Sequence, residues 1–205
     1  GFLSQLNLEK ISPFTKQKLK PKILFRYSPN KNMRKEENGS ILDPVNAFNL
    51  NRLNNTYNYE TGLSTSVGLD YEITNSQQKF DFSIAQIINE KENKKMNSKT
   101  SLDEKLSDLV FTSNYKLNEN INFSYNGAID QNYNDINYSD LGSTIRINAM
   151  KIDFNYLEEN KHIGDQEYFK TKIDFANSNN GLFSFETKRN LVTDSSEFYN
   201  LSYEY

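Results

Sequence analysis

The stretch Tyr59-Glu60-Thr61-Gly62-Leu63-Ser64-Thr65-Ser66-Val67-Gly68-Leu69-Asp70-Tyr71-Glu72-Ile73 alternates without a break. Tyr, Thr, Leu, Val and Ile hold the odd positions, and Glu, Gly, Ser and Asp hold the even ones. A period of two is the signature of a β-strand, whose successive side chains point to opposite faces. At roughly 3.3 Å per residue this one would run about 50 Å, far beyond the usual five or six residues of soluble sheets. An outer-membrane β-barrel needs such strands, because one face of each meets lipid and the other a watery lumen.

Composition agrees with that class. Only 36% of the chain is hydrophobic, yet it carries 13 Tyr and 14 Phe, set singly among polar residues. No run approaches the roughly 18 apolar residues of a transmembrane helix. A net charge of -3 gives no electrostatic reason to bind a nucleic-acid backbone, so no nucleic-acid partner is expected. The absence of cysteine removes disulfides and thiolate metal sites from this stretch. The chain begins at Gly1, which suits a processed protein or a piece of a longer one.

Similar alternation recurs at Leu3 to Ser12, Lys22 to Ser28, Tyr57 to Ile73, Lys79 to Asn89, Asp108 to Leu117 and Asn120 to Gln131, and again at Leu141 to Ala149, Lys151 to Glu158, Tyr168 to Asn177, Gly181 to Asn190 and Ser196 to Tyr205. This predicts an all-β, antiparallel up-and-down meander of about eleven strands, part of a large transmembrane barrel. Short connections (Thr74 to Gln78, Asn118 and Glu119, a bend at Met150, Asn177 to Asn180) take turns with longer, charged, flexible ones (Pro29 to Thr56, Glu90 to Ser107, Asn132 to Asp140, Glu159 to Glu167, Leu191 to Ser195). Outer-membrane barrels show this rhythm, with short periplasmic turns and long external loops. An odd strand count predicts a single partial barrel domain over residues 1–205, truncated at both ends.

The lumen row of the long strand is then Glu60, Gly62, Ser64, Ser66, Gly68, Asp70 and Glu72, a candidate surface for a partner or a lipid path. Leu63, Val67 and Leu69 would face lipid, with Phe82, Phe123, Phe154 and Leu201 on other strands. Asp81, Asn126, Arg146, Asp153, Lys170, Lys172, Glu186 and Lys188 join the lumen side. Alternation alone does not separate inside from outside, so a soluble sheet with its apolar face packed inward remains the competing reading.

Several pieces carry a family resemblance. They are Pro21-Lys22-Ile23-Leu24-Phe25-Arg26-Tyr27-Ser28-Pro29, then Phe48-Asn49-Leu50-Asn51-Arg52-Leu53, then Glu60-x-Gly62-x-Ser64 and Gly68-Leu69-Asp70-Tyr71. Further along come Leu106-Ser107-Asp108-Leu109-Val110, Phe185-Glu186-Thr187-Lys188-Arg189-Asn190-Leu191 and the ending Tyr199 to Tyr205. In that order they resemble the barrel of the LptD family of outer-membrane LPS-assembly proteins, in its alphaproteobacterial form. Pro21, Arg26, Tyr27, Pro29, Asn51 and Arg52 are the motif positions. The resemblance implies a barrel that takes lipopolysaccharide from a periplasmic bridge, reached through an N-terminal jellyroll domain, and inserts it into the outer leaflet. It also implies contact with outer-membrane lipid and a plug lipoprotein of the LptE type in the lumen. The family's lateral gate and its cysteines would lie outside this stretch.

No catalytic, metal or cofactor site is expected. His162, the only histidine, sits in a charged loop with Glu158, Glu159 and Asp165, where no second His or Cys joins it. The acidic pairs Asp103-Glu104 and Glu158-Glu159 read as loop charges without the shelter that would separate two pKa values. The run Lys91-Glu92-Asn93-Lys94-Lys95 would meet phosphates only as an exposed loop. The competing functions are the wall of another outer-membrane channel or transporter and a soluble all-β binding module.

Overall fold

The computed structural model describes residues 1–29, 41–52, 60–96, 98–161, 165–176 and 181–204. Twelve strands form one sheet: β1 (Phe2–Gln5), β2 (Leu8–Ile11), β3 (Lys16–Ser28), β4 (Gly62–Thr74), β5 (Lys79–Asn89), β6 (Leu109–Lys116), β7 (Ile121–Ile129), β8 (Ile136–Ile147), β9 (Met150–Glu159), β10 (Gln166–Ala176), β11 (Leu182–Asn190) and β12 (Ser195–Glu204). Every pairing is antiparallel, and from β4 onward each strand pairs only with its neighbours in sequence. Such a meander satisfies nearly every backbone N–H and C=O within the ladder, which a chain crossing lipid requires. The sheet is open, with β12 at one edge and the β1/β2 pair at the other. Helical structure among the described residues is limited to two 3-10 turns, Asn46–Phe48 and Ser98–Thr100.

β1 and β2 are one strand broken opposite Pro21. The Leu6 N–H donates to the Pro21 carbonyl at 3.1 Å. In an antiparallel ladder a residue's C=O and N–H point to the same neighbour, so the donor that proline lacks is missing toward this edge. The edge ladder accordingly stops at Gln5↔Lys22 and resumes at Leu8↔Leu19. The β3–β4 ladder runs through Pro21↔Leu69 unbroken. Counted this way, the meander has the eleven rungs that alternation predicts.

Four boundaries differ from the expectation. β3 starts at Lys16 rather than Lys22, because Lys16, Lys18 and Lys20 alternate with Gln17, Leu19 and Pro21 in a strand whose polar row is lysine. β4 starts at Gly62, three residues into the alternating run, where a φ of +94 turns the backbone before the strand begins. β8 starts at Ile136 rather than Leu141. The β8–β9 turn is centred on Asn148 and Ala149 rather than Met150, with Asn148 at φ 52 and Ile147 paired to Met150.

Short turns and longer connections alternate between the two ends of the sheet from β3 to β10, but the β11–β12 connection, expected to be long, is a turn of residues 191–194 no longer than those at 75–78 and 117–120, and the expected turn Asn177 to Asn180 lies outside the described residues. At the short end, Asn75 Oδ1 accepts from the N–H groups of Gln77 (2.9 Å) and Gln78 (2.6 Å), and Asn118 Oδ1 from Asn120 (2.8 Å) and Ile121 (2.9 Å). These side chains supply the turn's hydrogen bonds locally. The long connections at residues 41–52 and 90–108 depart from the expected flexible loops: they are folded onto the sheet.

Register assigns the two faces. Leu63, Val67, Ile84, Phe82, Phe123, Leu141, Ile152, Phe169, Phe185 and Leu201 share one face, linked strand to strand through directly opposed pairs. Ring pairs run along it, with Phe80 edge-on to Tyr71 and to Tyr115 at 6.4 Å each near the short turns. Among the described residues no second sheet covers this face: Leu63, Val67, Phe123, Leu141, Phe169, Leu201 and Tyr203 are all exposed. Large apolar side chains presented in a continuous row mark a surface whose solvent is not water. That removes the packed-inward soluble reading.

Candidate functional site

The polar face divides into two parts. Over β3–β6 it is covered by the chain itself. Leu42, Ala47, Met96 and Leu102 from the long connections pack against Ala85, Ile87, Val110 and Ala128 of the strands, with Phe48 and Tyr138 alongside. A Cβ at Gly68 would meet the Phe48 ring at 2.8 Å and the Ile84 carbonyl oxygen at 2.5 Å, so a glycine is what lets that ring lie on the wall. Lys22 Nζ sits 4.4 Å from the same ring's centre.

Above this apolar layer, two motif arginines converge on one carboxylate. Arg52 Nη1 donates to Glu60 Oε1 at 2.6 Å and Nη2 to Ser66 Oγ at 2.9 Å, while Nε reaches the Ala47 carbonyl at 3.2 Å. Ser66 Oγ donates in turn to Ala47 O at 2.6 Å. Arg26 Nε donates to Leu50 O at 2.7 Å and Nη2 to Glu60 O at 2.6 Å. Arg26 Nη1 stands 3.8 Å from Glu60 Oε2, and neither atom has another partner among the described residues. Burial pulls the Arg52 guanidinium below its ordinary value, against the opposing pull of the Glu60 charge, and the nearby Arg26 charge adds to the lowering. The cluster fastens residues 47–52 to the ends of β3 and β4 by groups in which Arg52, Glu60 and Ser66 are almost wholly out of solvent.

A second polar knot closes the next connection. Asp108, also buried, accepts from Ser101 Oγ at 2.6 Å, Asn137 Nδ2 at 3.0 Å and Lys161 Nζ at 3.3 Å. Ser107 Oγ accepts the Ile87 N–H at 2.9 Å. The β5–β6 and β9–β10 connections are thereby bound to each other and to the start of β8 through Asn137.

The row named from the sequence therefore splits. Glu60, Ser64 and Ser66 lie under residues 47–52. Gly62 has nothing within 4 Å of where a Cβ would stand, and Gly68 lies under Phe48. Asp70 and Glu72 are outside the covered zone, in ion pairs with Lys22 (2.8 Å) and Lys18 (2.7 Å). Of the motif positions, Arg26 and Arg52 meet in the cluster and Pro21 sets the edge break. Tyr27 is exposed on the apolar face, and Pro29 and Asn51 are exposed beside the cluster. Glu158 and Glu159 are not a loop pair: they end β9 on opposite faces, with Glu159 buried. Lys94 of the basic run is tied to Glu104 and lies 3.7 Å from Asp103. Tyr59, His162 and Tyr205 lie outside the described residues.

Sequence reasoning missed the inner apolar layer. Its signal was present as adjacent apolar pairs, Leu24-Phe25, Ile87-Ile88 and Leu109-Val110, which make both faces apolar at one level of a strand.

On the polar face of β7–β11, beyond the covered Ala128 and Tyr138, a groove of about 430 Å3 is lined, among the described residues, by strand residues alone, including Thr144, Asp153, Asn155, Tyr168, Lys170 and Glu186. A long-stranded antiparallel meander with one exposed apolar face, one polar face and all long connections at one end defines the wall of an outer-membrane β-barrel. The family model for LptD, LPS transport system D, matches residues 4–190, and the chain belongs to that family. This is a transport and assembly family of the outer membrane rather than a family of enzymes, and its substrate is lipopolysaccharide. Compared with the curated proteins, the chain matches none.

Proposed function

We propose that residues 1–205 are a partial barrel domain, continued on both sides in the intact protein, that forms part of the wall through which lipopolysaccharide is translocated and inserted into the outer leaflet. The apolar row meets outer-membrane lipid and the polar row lines the lumen. Lipopolysaccharide arrives from the periplasmic bridge through an N-terminal domain outside this chain, and a plug lipoprotein of the LptE type occupies the lumen. Of the row chosen from the sequence, Asp70 and Glu72 serve the partner or the lipid path, while Glu60, Ser64 and Ser66 hold the chain's own cover in place.

The observation that supports this most is the asymmetry along β4: Leu63 and Val67 are 43% and 36% exposed, whereas Ser64 and Ser66 between them are 3% and 0%. A soluble sheet shows the reverse. Photocrosslinking in the full-length protein in cells tests the reading. A crosslinker at Asp70 or Glu72 should capture the plug, and one at Leu63 or Val67 should not. Equal capture from both rows would contradict it.

A further inference from the structure

The apolar row is not equally tall along the wall. On β4 it runs uncharged from Ile73, beside the short turn, to Leu63, ten residues away, and on β7 from Ile121 to Ile129. On β9 and β10 the apolar part of the same row spans only Met150 to Tyr156 and Phe175 to Phe169, six residues each. It then ends in carboxylates. Glu158 and Glu167, directly opposed across the two strands, stand on this face two residues beyond Tyr156 and Phe169. On β11 the row passes from Phe183 and Phe185 through Thr187 to Arg189, which is paired opposite Phe169. Among the described residues of β3–β8 no charged side chain stands on this face.

At roughly 3.3 Å per residue and a strand tilt of about 40°, the β4 row rises about 25 Å, the height of a full outer-membrane apolar band, whereas the β9 and β10 rows rise only about 15 Å. We propose that the outer leaflet is drawn down against β9–β11, so that the headgroup layer of the surrounding lipid meets Glu158, Glu167 and Arg189 there. The proposal rests on the barrel reading above.

A bilayer of full height would bury three charged side chains in hydrocarbon, and a short apolar stretch is met instead by local thinning. Tyr156 marks the level of the boundary. Its hydroxyl donates to Glu167 Oε1 at 2.9 Å and lies 3.3 Å from Glu158 Oε2, the posture of an interfacial tyrosine with an apolar body and a wet tip. Two carboxylates facing each other across a ladder repel, which water and headgroup cations relieve and hydrocarbon does not. Arg189, tied to Asp194 of the β11–β12 turn, keeps more than half its side chain exposed. Charges of both signs suit a layer that itself carries phosphates and cations.

The test uses the full-length protein in phosphatidylcholine vesicles. Glu158 and Thr65 each lie eight residues along the outer row from a short turn, counted from Met150 and from Ile73. Single-cysteine variants Glu158→Cys and Thr65→Cys, each carrying a fluorophore, would therefore sit at one depth in a uniform bilayer. Thinning predicts that aqueous iodide quenches the label at 158 several times more strongly than the label at 65, and that brominated lipid chains quench only the latter. Equal quenching of both by brominated chains would overturn the proposal. So would shielding of the 158 label from both quenchers, the result expected if another protein covered this sector. Iodide quenching of both labels alike would remove the barrel reading itself.

A second measurement needs no label. Changing Glu158→Leu, Glu167→Leu and Arg189→Leu together lengthens the apolar rows, so the folded yield, read by heat-modifiable gel migration, should move toward vesicles of longer chains, with the long-to-short ratio of yields rising about threefold. An unchanged ratio would also overturn the proposal.

Discussion

Arg52 and Glu60 meet at 2.6 Å with the Arg52 side chain wholly buried and that of Glu60 only 4% exposed. Seven undescribed positions separate them in sequence, and the contact pins residues 47–52 against the upper ends of β3 and β4. A second guanidinium, Arg26, shares the same acid, so among the described residues the site holds two cations and one anion out of water. Such clusters persist only when geometry and hydrogen bonds offset the desolvation cost, and removal of one member leaves the others uncompensated.

Glu60→Ala is accordingly a costly change, because it strands two buried guanidiniums. We expect a loss of about 3 to 5 kcal/mol, and a similar loss for Arg52→Ala. Unfolding of the full-length barrel in urea, followed by heat-modifiable gel migration, measures it. A loss within the roughly 0.5 kcal/mol typical of surface sites would show that the cluster is not closed.

Gly68→Ala places a methyl group against the Phe48 ring and the Ile84 carbonyl. The backbone oxygen cannot yield as a side chain does, so residues 46–52 must lift. The expected outcome is new protease cleavage within residues 41–52 with the barrel still heat-resistant. Unchanged protection would place Phe48 elsewhere.

Val67→Arg puts a charge on the lipid face near the bilayer midplane, at a cost of about 2 to 4 kcal/mol. Ser83→Arg, on the polar face directly opposite Asp70, should be nearly silent. A change to Arg at Ser64 or Ser66, which alternation alone would rank as mild, should be severe because both side chains are sealed beneath Arg52. Yields of assembled barrel in the outer membrane rank the four variants.

Asp130 gives the β7–β8 connection a dependence on pH. Burial pushes its carboxyl up, but the backbone N–H groups of Asn132 and Asn134, the Asn132 amide and the Lys161 charge draw it down further, to below the ordinary range. A group whose folded value is depressed contributes stability above its unfolded value of about 4, and that contribution is lost as pH falls through the folded value. The hydrogen-exchange protection of residues 130–135, measured against the intrinsic rate at each pH, should thus be full at neutral pH and fall below about pH 4, a dependence that Asp130→Asn should abolish. The same acid response in that variant would assign it to another group.

The meander, its faces and its two ends were legible in the sequence because period-two alternation and turn residues such as Asn75 and Asn118 act locally. What stayed hidden is long-range. Nothing near Arg52 reveals that it meets Glu60 and Ser66 on the wall, and the lysines of 16–22 mask a strand by filling its polar row. Glu60 and Ser64 obey the alternation of lumen residues yet lie beneath cover, since alternation fixes the face and says nothing of what lies on it. The doublets at Leu24, Ile87 and Val110 were the one local sign that something apolar would settle there.

The central claim is that odd and even positions of β4 face lipid and lumen. Single-cysteine variants of the full-length protein at Val67, Leu69, Tyr71, Asp70 and Glu72, labelled with a fluorophore and reconstituted with brominated lipids, test it most directly. Strong quenching at Val67, Leu69 and Tyr71 with little at Asp70 and Glu72 is the predicted result. Quenching that is uniform along β4, or strongest at Asp70 and Glu72, would contradict the account.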